Sequence, residues 1–76
     1  MMRIINRKRY NTATGEWMCD IGFSKLSLYR SRRGLWFLVG TSDIEPIDAA
    51  AARALIRRYG APAMIARYFG LGAERR

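Results

Sequence analysis

The 76-residue chain contains no histidine and a single cysteine, Cys19. Without histidine or a cysteine pair, an ordinary zinc site is excluded, and the usual pairings of nucleophile and base lose their base. One cysteine cannot close an internal disulfide, so the chain is not a disulfide scaffold. The six acidic residues stand singly along the sequence and offer no paired-carboxylate site for general acid–base work. The longest mainly apolar run, Leu35 to Val39, has five residues, against the ~20 that a membrane-spanning helix needs. Beyond Met1 and Met2 the chain goes directly to Arg3, so no secretory signal is read and a cytoplasmic setting is expected. These absences predict a protein with no catalytic residues, no metal and no cofactor.

What is present is a small hydrophobic core and a large positive charge. Half the residues are hydrophobic and 12% are aromatic, which suits a packed globule rather than a disordered chain. A domain of this size buries only about 60% of its unfolded surface, so a homodimer would help it. Fourteen basic residues against six acidic ones give a net charge of +8. Residues 1–41 carry eight basic and two acidic side chains, whereas residues 42–60 carry three of each. Such a field attracts polyanions or acidic protein patches, and it also keeps a small protein soluble.

The rest of the chain is organised around Ser27 to Gly40, which reads SLYRSRRGLWFLVG. Two runs of aromatic and branched residues flank a turn ending in glycine, the signature of a β-hairpin. A three-residue loop of Arg32, Arg33 and Gly34 pairs Ser31 with Leu35, provided Gly34 takes the left-handed conformation. The register then sets Arg30 opposite Trp36, Tyr29 opposite Phe37 and Leu28 opposite Leu38. Leu26, Leu28, Trp36 and Leu38 share one face, and Tyr29, Leu35, Phe37 and Val39 share the other. Both faces are apolar, so both need cover.

Around this hairpin the pattern predicts strands at about 2–10, 16–23, 26–31 and 35–41. The first is basic, with Arg7, Lys8 and Arg9, as suits a sheet edge. In the second, Trp17, Cys19, Ile21 and Phe23 alternate with Glu16, Met18, Asp20 and Gly22, which predicts the former set facing the core. Cys19 is then a small core hydrophobe, with an intermolecular disulfide across a dimer as the alternative. Thr41 to Glu45 reads as a polar loop that Pro46 keeps out of any ladder. Asp48 caps a helix at about 48–59 whose stripe is Ala52, Leu55, Ile56 and Tyr59, and Gly60 ends it. Pro62 starts a second helix at about 62–69 with Ile65, Tyr68 and Phe69 inward and Met64 at the margin, stopped by Gly70. Residues 71–76 form a frayed tail. The expectation is a single α+β domain over residues 1–76: a four-stranded antiparallel sheet followed by two short helices packed on one face.

Lys8, Tyr10-Asn11-Thr12-Ala13-Thr14, Leu28-Tyr29-Arg30, Gly34, Trp36-Phe37-Leu38, Gly40, Ile44, Pro46-Ile47 and Tyr68-Phe69-Gly70 together resemble a family of small proteins encoded by bacteriophages, prophages and plasmids. The likeness covers about residues 8–70, and the hairpin pattern LYRxxxGxWFLxG is its most specific part. It implies a mobile-element setting in a bacterial host and no known reaction.

Two functions compete. The first is an inhibitor of a host protein complex, of the anti-CRISPR kind, acting by steric or allosteric blockade of an effector complex. Its expected contact surface is Tyr29, Leu35 and Phe37 rimmed by Arg32 and Arg33, since aromatics and arginine are enriched at interface hot spots. The second is a basic nucleic-acid-binding, regulatory protein in which Arg7, Lys8, Arg9, Arg30, Arg32 and Arg33 contact phosphates and Tyr29 or Tyr10 stacks on bases. In a further version of the second, Leu55 to Phe69 resembles a helix-turn-helix with Arg67 on its second helix. Arg30 and Trp36 also have a purely structural reading, as a cation–π pair across the hairpin.

Overall fold

The structure, a computed structural model, describes residues 1–69. The element order is β1 (Met2–Ile5), β2 (Lys8–Asn11), β3 (Glu16–Asp20), β4 (Ser27–Arg30), β5 (Trp36–Val39), β6 (Ile44–Ile47), α1 (Ala49–Tyr59) and α2 (Pro62–Phe69). Strands β3 to β6 form a four-stranded antiparallel sheet in sequential order, and β1 and β2 form a separate two-stranded ribbon. The chain is therefore α+β, with a four-stranded antiparallel sheet followed by two helices. Among the described residues no helix is long and apolar enough to cross a membrane. The expected stop at Gly70 and the tail at 71–76 lie outside the described residues.

The central hairpin has the register that its sequence dictates: Arg30 opposite Trp36, Tyr29 opposite Phe37, Leu28 opposite Leu38. Gly34 sits at φ +86°, where a side chain is disfavoured, and this lets the Ser31 and Gly34 amides bond Leu35 O at 2.7 Å and Ser31 O at 2.9 Å. Its two apolar faces acquire separate covers. On one, Met18, Cys19, Leu28 and Trp36 pack against Ala52 and Ile56 of α1 and Ile65 of α2. On the other, Phe37 and Ile44 pack with Tyr10 of the ribbon, flanked by Ile5, Tyr29, Leu35 and Val39. Three layers result: helices, sheet, ribbon.

Three local expectations differ from the structure, each for an identifiable reason. The segment 2–10 is not one strand but the β1–β2 ribbon, reversed at Asn6 and Arg7, whose φ values are +52° and +66°. Both central residues of a type I′ hairpin turn are left-handed; asparagine adopts that conformation readily, whereas arginine adopts it at a cost and gives no sequence signal. The fourth strand of the main sheet is β6, in the segment read as a loop. Pro46 lies opposite Phe37 on that strand, which is the sheet edge, where one row of amides has no ladder partner and proline forfeits nothing.

The third difference is a β-bulge in β3. Trp17 pairs with Tyr29 and Cys19 with Leu28, leaving Met18 as the extra residue. The bulge turns both Met18 and Cys19 into the helix-side core and leaves Trp17 53% exposed. Cys19 and Ile21 therefore face the core as expected, while Trp17 does not, and Phe23 is fully exposed because the chain reverses at Gly22, φ +53°.

The helices follow their capping residues. Asp48 accepts a 2.8 Å hydrogen bond from the Ala51 amide at the start of α1, and the Gly60 amide closes the other end on Ile56 O. Of the predicted stripe, Ala52 and Ile56 are buried, with Leu55 and Tyr59 packed beside them. Pro62 opens α2, which buries Ile65.

Candidate nucleic-acid interface

The turn of the ribbon and the turn of the central hairpin lie at the same end of the molecule and open onto a shared groove of about 450 Å³. Arg7, Lys8 and Arg9 line it from the ribbon, and Arg32 and Arg33 line it from the hairpin loop. Residues more than twenty positions apart thus contribute five cations to one concavity, with Asn11, Thr14 and Ser31 as neutral polar lining and no carboxylate.

The loop that carries Arg32 and Arg33 is held firmly. Ser31 is buried, and its Oγ accepts a 3.0 Å bond from the Leu35 amide while the Ser31 amide donates to Leu35 O. With its ends tied and Gly34 bonded back to Ser31, the loop leaves only the two arginine side chains exposed. On the ribbon, Tyr10 anchors β2 by an edge-on contact with Phe37 at 5.4 Å, so the backbone of Lys8 and Arg9 is fixed while their side chains remain exposed. Rigid backbone and free cationic tips suit phosphate contacts, which need charge more than stereochemical fit.

Four of the acidic residues among those described are engaged elsewhere. Asp43 pairs with Arg3 at 3.4 Å. Asp20 accepts hydrogen bonds from Ser27 Oγ at 2.7 Å and Trp17 Nε1 at 3.1 Å, which hold its carboxyl below the usual range, the Ser27 bond most of all. Glu16 accepts the Tyr68 hydroxyl at 2.8 Å on the helix side; burial, then this bond, pushes the Tyr68 phenol up. Asp48 is occupied in capping α1. The groove therefore keeps an uncompensated positive field.

Arg30, expected among the phosphate contacts, does not line the groove. Its guanidinium lies 5.7 Å from the Trp36 ring and 5.1 Å from the Tyr68 ring, on the helix side of the sheet. The alternation of β4 sends Arg30 and Leu28 to one face and Tyr29 to the other. Phe37 is likewise corrected as a contact residue: it is 0% exposed, sealed by Tyr10 and stacked on Tyr29 at 5.6 Å. Of the expected protein-contact surface, Tyr29 is half-buried, Leu35 reaches the groove, and Arg32 and Arg33 line it. Arg67 stacks on Tyr68 at 5.2 Å in the helix layer, so it and the groove do not form one surface.

Cys19 is 4% exposed, and its thiol is pushed up by burial and then by the Asp20 charge, which suits a core residue rather than a bridge between copies. Among the described residues no group of three or more cysteine, aspartate or glutamate side chains gathers as a metal site would require. Sequence reasoning missed Ser31, Asn11 and Thr14 as groove lining, because their role depends on the ribbon folding back at Asn6. Compared with known proteins, the chain matches no family model, no curated protein and no solved structure.

Proposed function

We propose that the protein is a nucleic-acid-binding protein that grips the phosphate backbone in the groove between the ribbon and the central hairpin. The observation that carries this reading is the convergence of Arg7, Lys8, Arg9, Arg32 and Arg33 on one carboxylate-free groove. Each cation that neutralises a phosphate releases condensed counterions, so binding is driven by charge and weakens steeply with salt. Among the described residues the five cations of the groove enter no ion pair or ring contact, unlike Arg3 and Arg30.

The same grip supports the inhibitor reading. In the mobile-element setting that the hairpin's resemblance implies, holding the guide or target backbone would block a host effector complex of the CRISPR kind. Net charge +8 rules out imitation of nucleic acid and leaves competition for it. The burial of Phe37 weakens the purely protein-directed version, which loses its central anchor.

The test is a gel-shift titration at low and physiological salt with the wild type and an Arg32→Ala/Arg33→Ala variant. Five phosphate contacts predict an affinity loss of roughly 100- to 500-fold between about 50 and about 200 mM salt. The variant should bind more weakly with a shallower salt slope. Absence of a shift at low salt, or a slope that the variant leaves unchanged, overturns the reading.

A further inference from the structure

A second cleft, of about 470 Å³, lies on the other side of Lys8 and Leu35, which line both it and the cationic groove. Its walls differ in kind from those of the groove. Leu35, Pro46 and Ile47 supply apolar surface, with the largely buried Tyr10 and Trp36 behind them, while Asn6 and Asp48 supply the polar atoms that accompany Lys8. It falls within the ~300–1,000 Å³ of sites for small organic groups. A phosphate-binding groove thus opens beside a mainly apolar cleft bearing hydrogen-bonding groups at its rim.

Building on the reading of the groove as a phosphate site, the geometry points to single-stranded nucleic acid as the ligand, with one unstacked base seated in the second cleft. A nucleotide has this same division, an anionic backbone and a flat apolar base with a polar edge. In a duplex the base edges are engaged in pairing and the faces in stacking, so neither is available to such a cleft; in a single strand both are. Lys8, shared by the two cavities, stands where the backbone would pass while its base turns inward. Asn6 is exposed at the ribbon turn and lines the cleft, and Asp48 keeps acceptor capacity beyond its bond to the Ala51 amide. The carboxylate makes an all-phosphate occupant of this cleft unfavourable, which separates its role from that of the groove.

The experiment is a fluorescence-anisotropy titration with three probes of equal length: a short oligothymidine, an abasic strand with the same phosphates, and a duplex. The expected result is that the oligothymidine binds most tightly and the abasic strand severalfold more weakly, because it lacks the base that would bury apolar surface against Leu35, Pro46 and Ile47. An abasic strand that binds as well as the oligothymidine overturns the base site and leaves the phosphate groove standing. Preference for the duplex overturns the single-strand assignment, again without touching the groove. Failure of all three probes at low salt overturns the groove itself. The Asn6→Gly variant keeps the left-handed turn and removes the side chain. It should weaken oligothymidine binding and leave abasic binding unchanged; equal effects on both probes, or none on either, count against the base site.

Discussion

Tyr10 meets Phe37 edge-on, ring centroids 5.4 Å apart and planes inclined by 65°, and this contact fastens the N-terminal ribbon to the central hairpin. The groove exists because of it, since one wall belongs to each partner. An aromatic pair of this geometry adds ~0.5–1.5 kcal/mol beyond its buried area. Phe37 also stacks on Tyr29, so it holds three elements together from a fully buried position.

Phe37→Ala should therefore behave as a core deletion. A buried phenylalanine replaced by alanine costs about 3–5 kcal/mol, a large part of the ~4–11 kcal/mol available to a domain of this size. Denaturant unfolding should show the loss directly, and Tyr29→Ala, with its half-exposed ring, should cost clearly less. A Phe37→Ala protein of undiminished stability would mean that the ribbon does not cover this face.

Gly34→Ala tests the hairpin loop. At φ +86° an alanine is strained by ~1–2 kcal/mol, and its Cβ would stand 3.1 Å from Arg30 Nη2. Because the loop aims Arg32 and Arg33, the substitution should lower both the melting temperature and the affinity for nucleic acid. Gly60→Ala is the control: Gly60 has φ −98°, and its Cβ would crowd Ile56 and Met64, neither of which lines the groove.

The contrast between these two glycines marks how much the sequence reveals. Gly34 was legible because an arginine-arginine-glycine loop between two apolar runs admits one register, and that register is the one adopted. The ribbon turn at Asn6 and Arg7 was not, since a left-handed arginine leaves no trace in composition. Missing it hid the cover over Phe37 and the convergence of Arg7, Lys8 and Arg9 with Arg32 and Arg33. The cations themselves were visible in the sequence; their meeting was a tertiary fact. Trp17 misled for a related reason, because a bulge shifts the parity of a strand by one residue and alternation alone cannot reveal where.

Asp20 makes the outer face of β3 sensitive to acid. Its carboxyl is held below the usual value by Ser27 and then by Trp17, so the stabilisation is present above the unfolded pKa of ~3.9 and is lost as pH falls through the lower folded value. An NMR titration of the carboxyl should return a depressed midpoint in the wild type and one nearer the ordinary value in Ser27→Ala. Equal midpoints in the two proteins would sink this account. Trp17→Phe, which removes the weaker donor, should move the midpoint less.

Cys19 should be slow to react. With the residue 4% exposed and the thiolate disfavoured by burial and by Asp20, a disulfide reagent should label it only as the native state opens. The labelling rate is then expected to rise with denaturant in step with unfolding. Rapid labelling of the native protein would instead expose an error in the packing of β3 against α1.

Arg30 and Arg33 separate the two roles that arginine plays in this chain. Arg30 lies over the Trp36 and Tyr68 rings, and Tyr68 in turn donates to Glu16, the residue paired with Arg30 across β3 and β4. Removing it leaves the Trp36 ring without its cation and Tyr68 with Arg67 alone, a cost of about 1 kcal/mol for contacts of this exposure. Arg33 is exposed at the groove and takes no part in the core. Arg30→Ala should therefore lower the unfolding midpoint while the salt slope of nucleic-acid binding stays at its wild-type value. Arg33→Ala should leave stability within ~0.5 kcal/mol, as a surface substitution does, and should lower the slope by about 0.7–0.9, the share of one phosphate contact. Measuring both quantities on both variants decides the matter, because a general loss of folding would move stability and binding together. If Arg30→Ala changed the slope and Arg33→Ala did not, the binding face would be the helix side of the sheet and the groove would have to be abandoned.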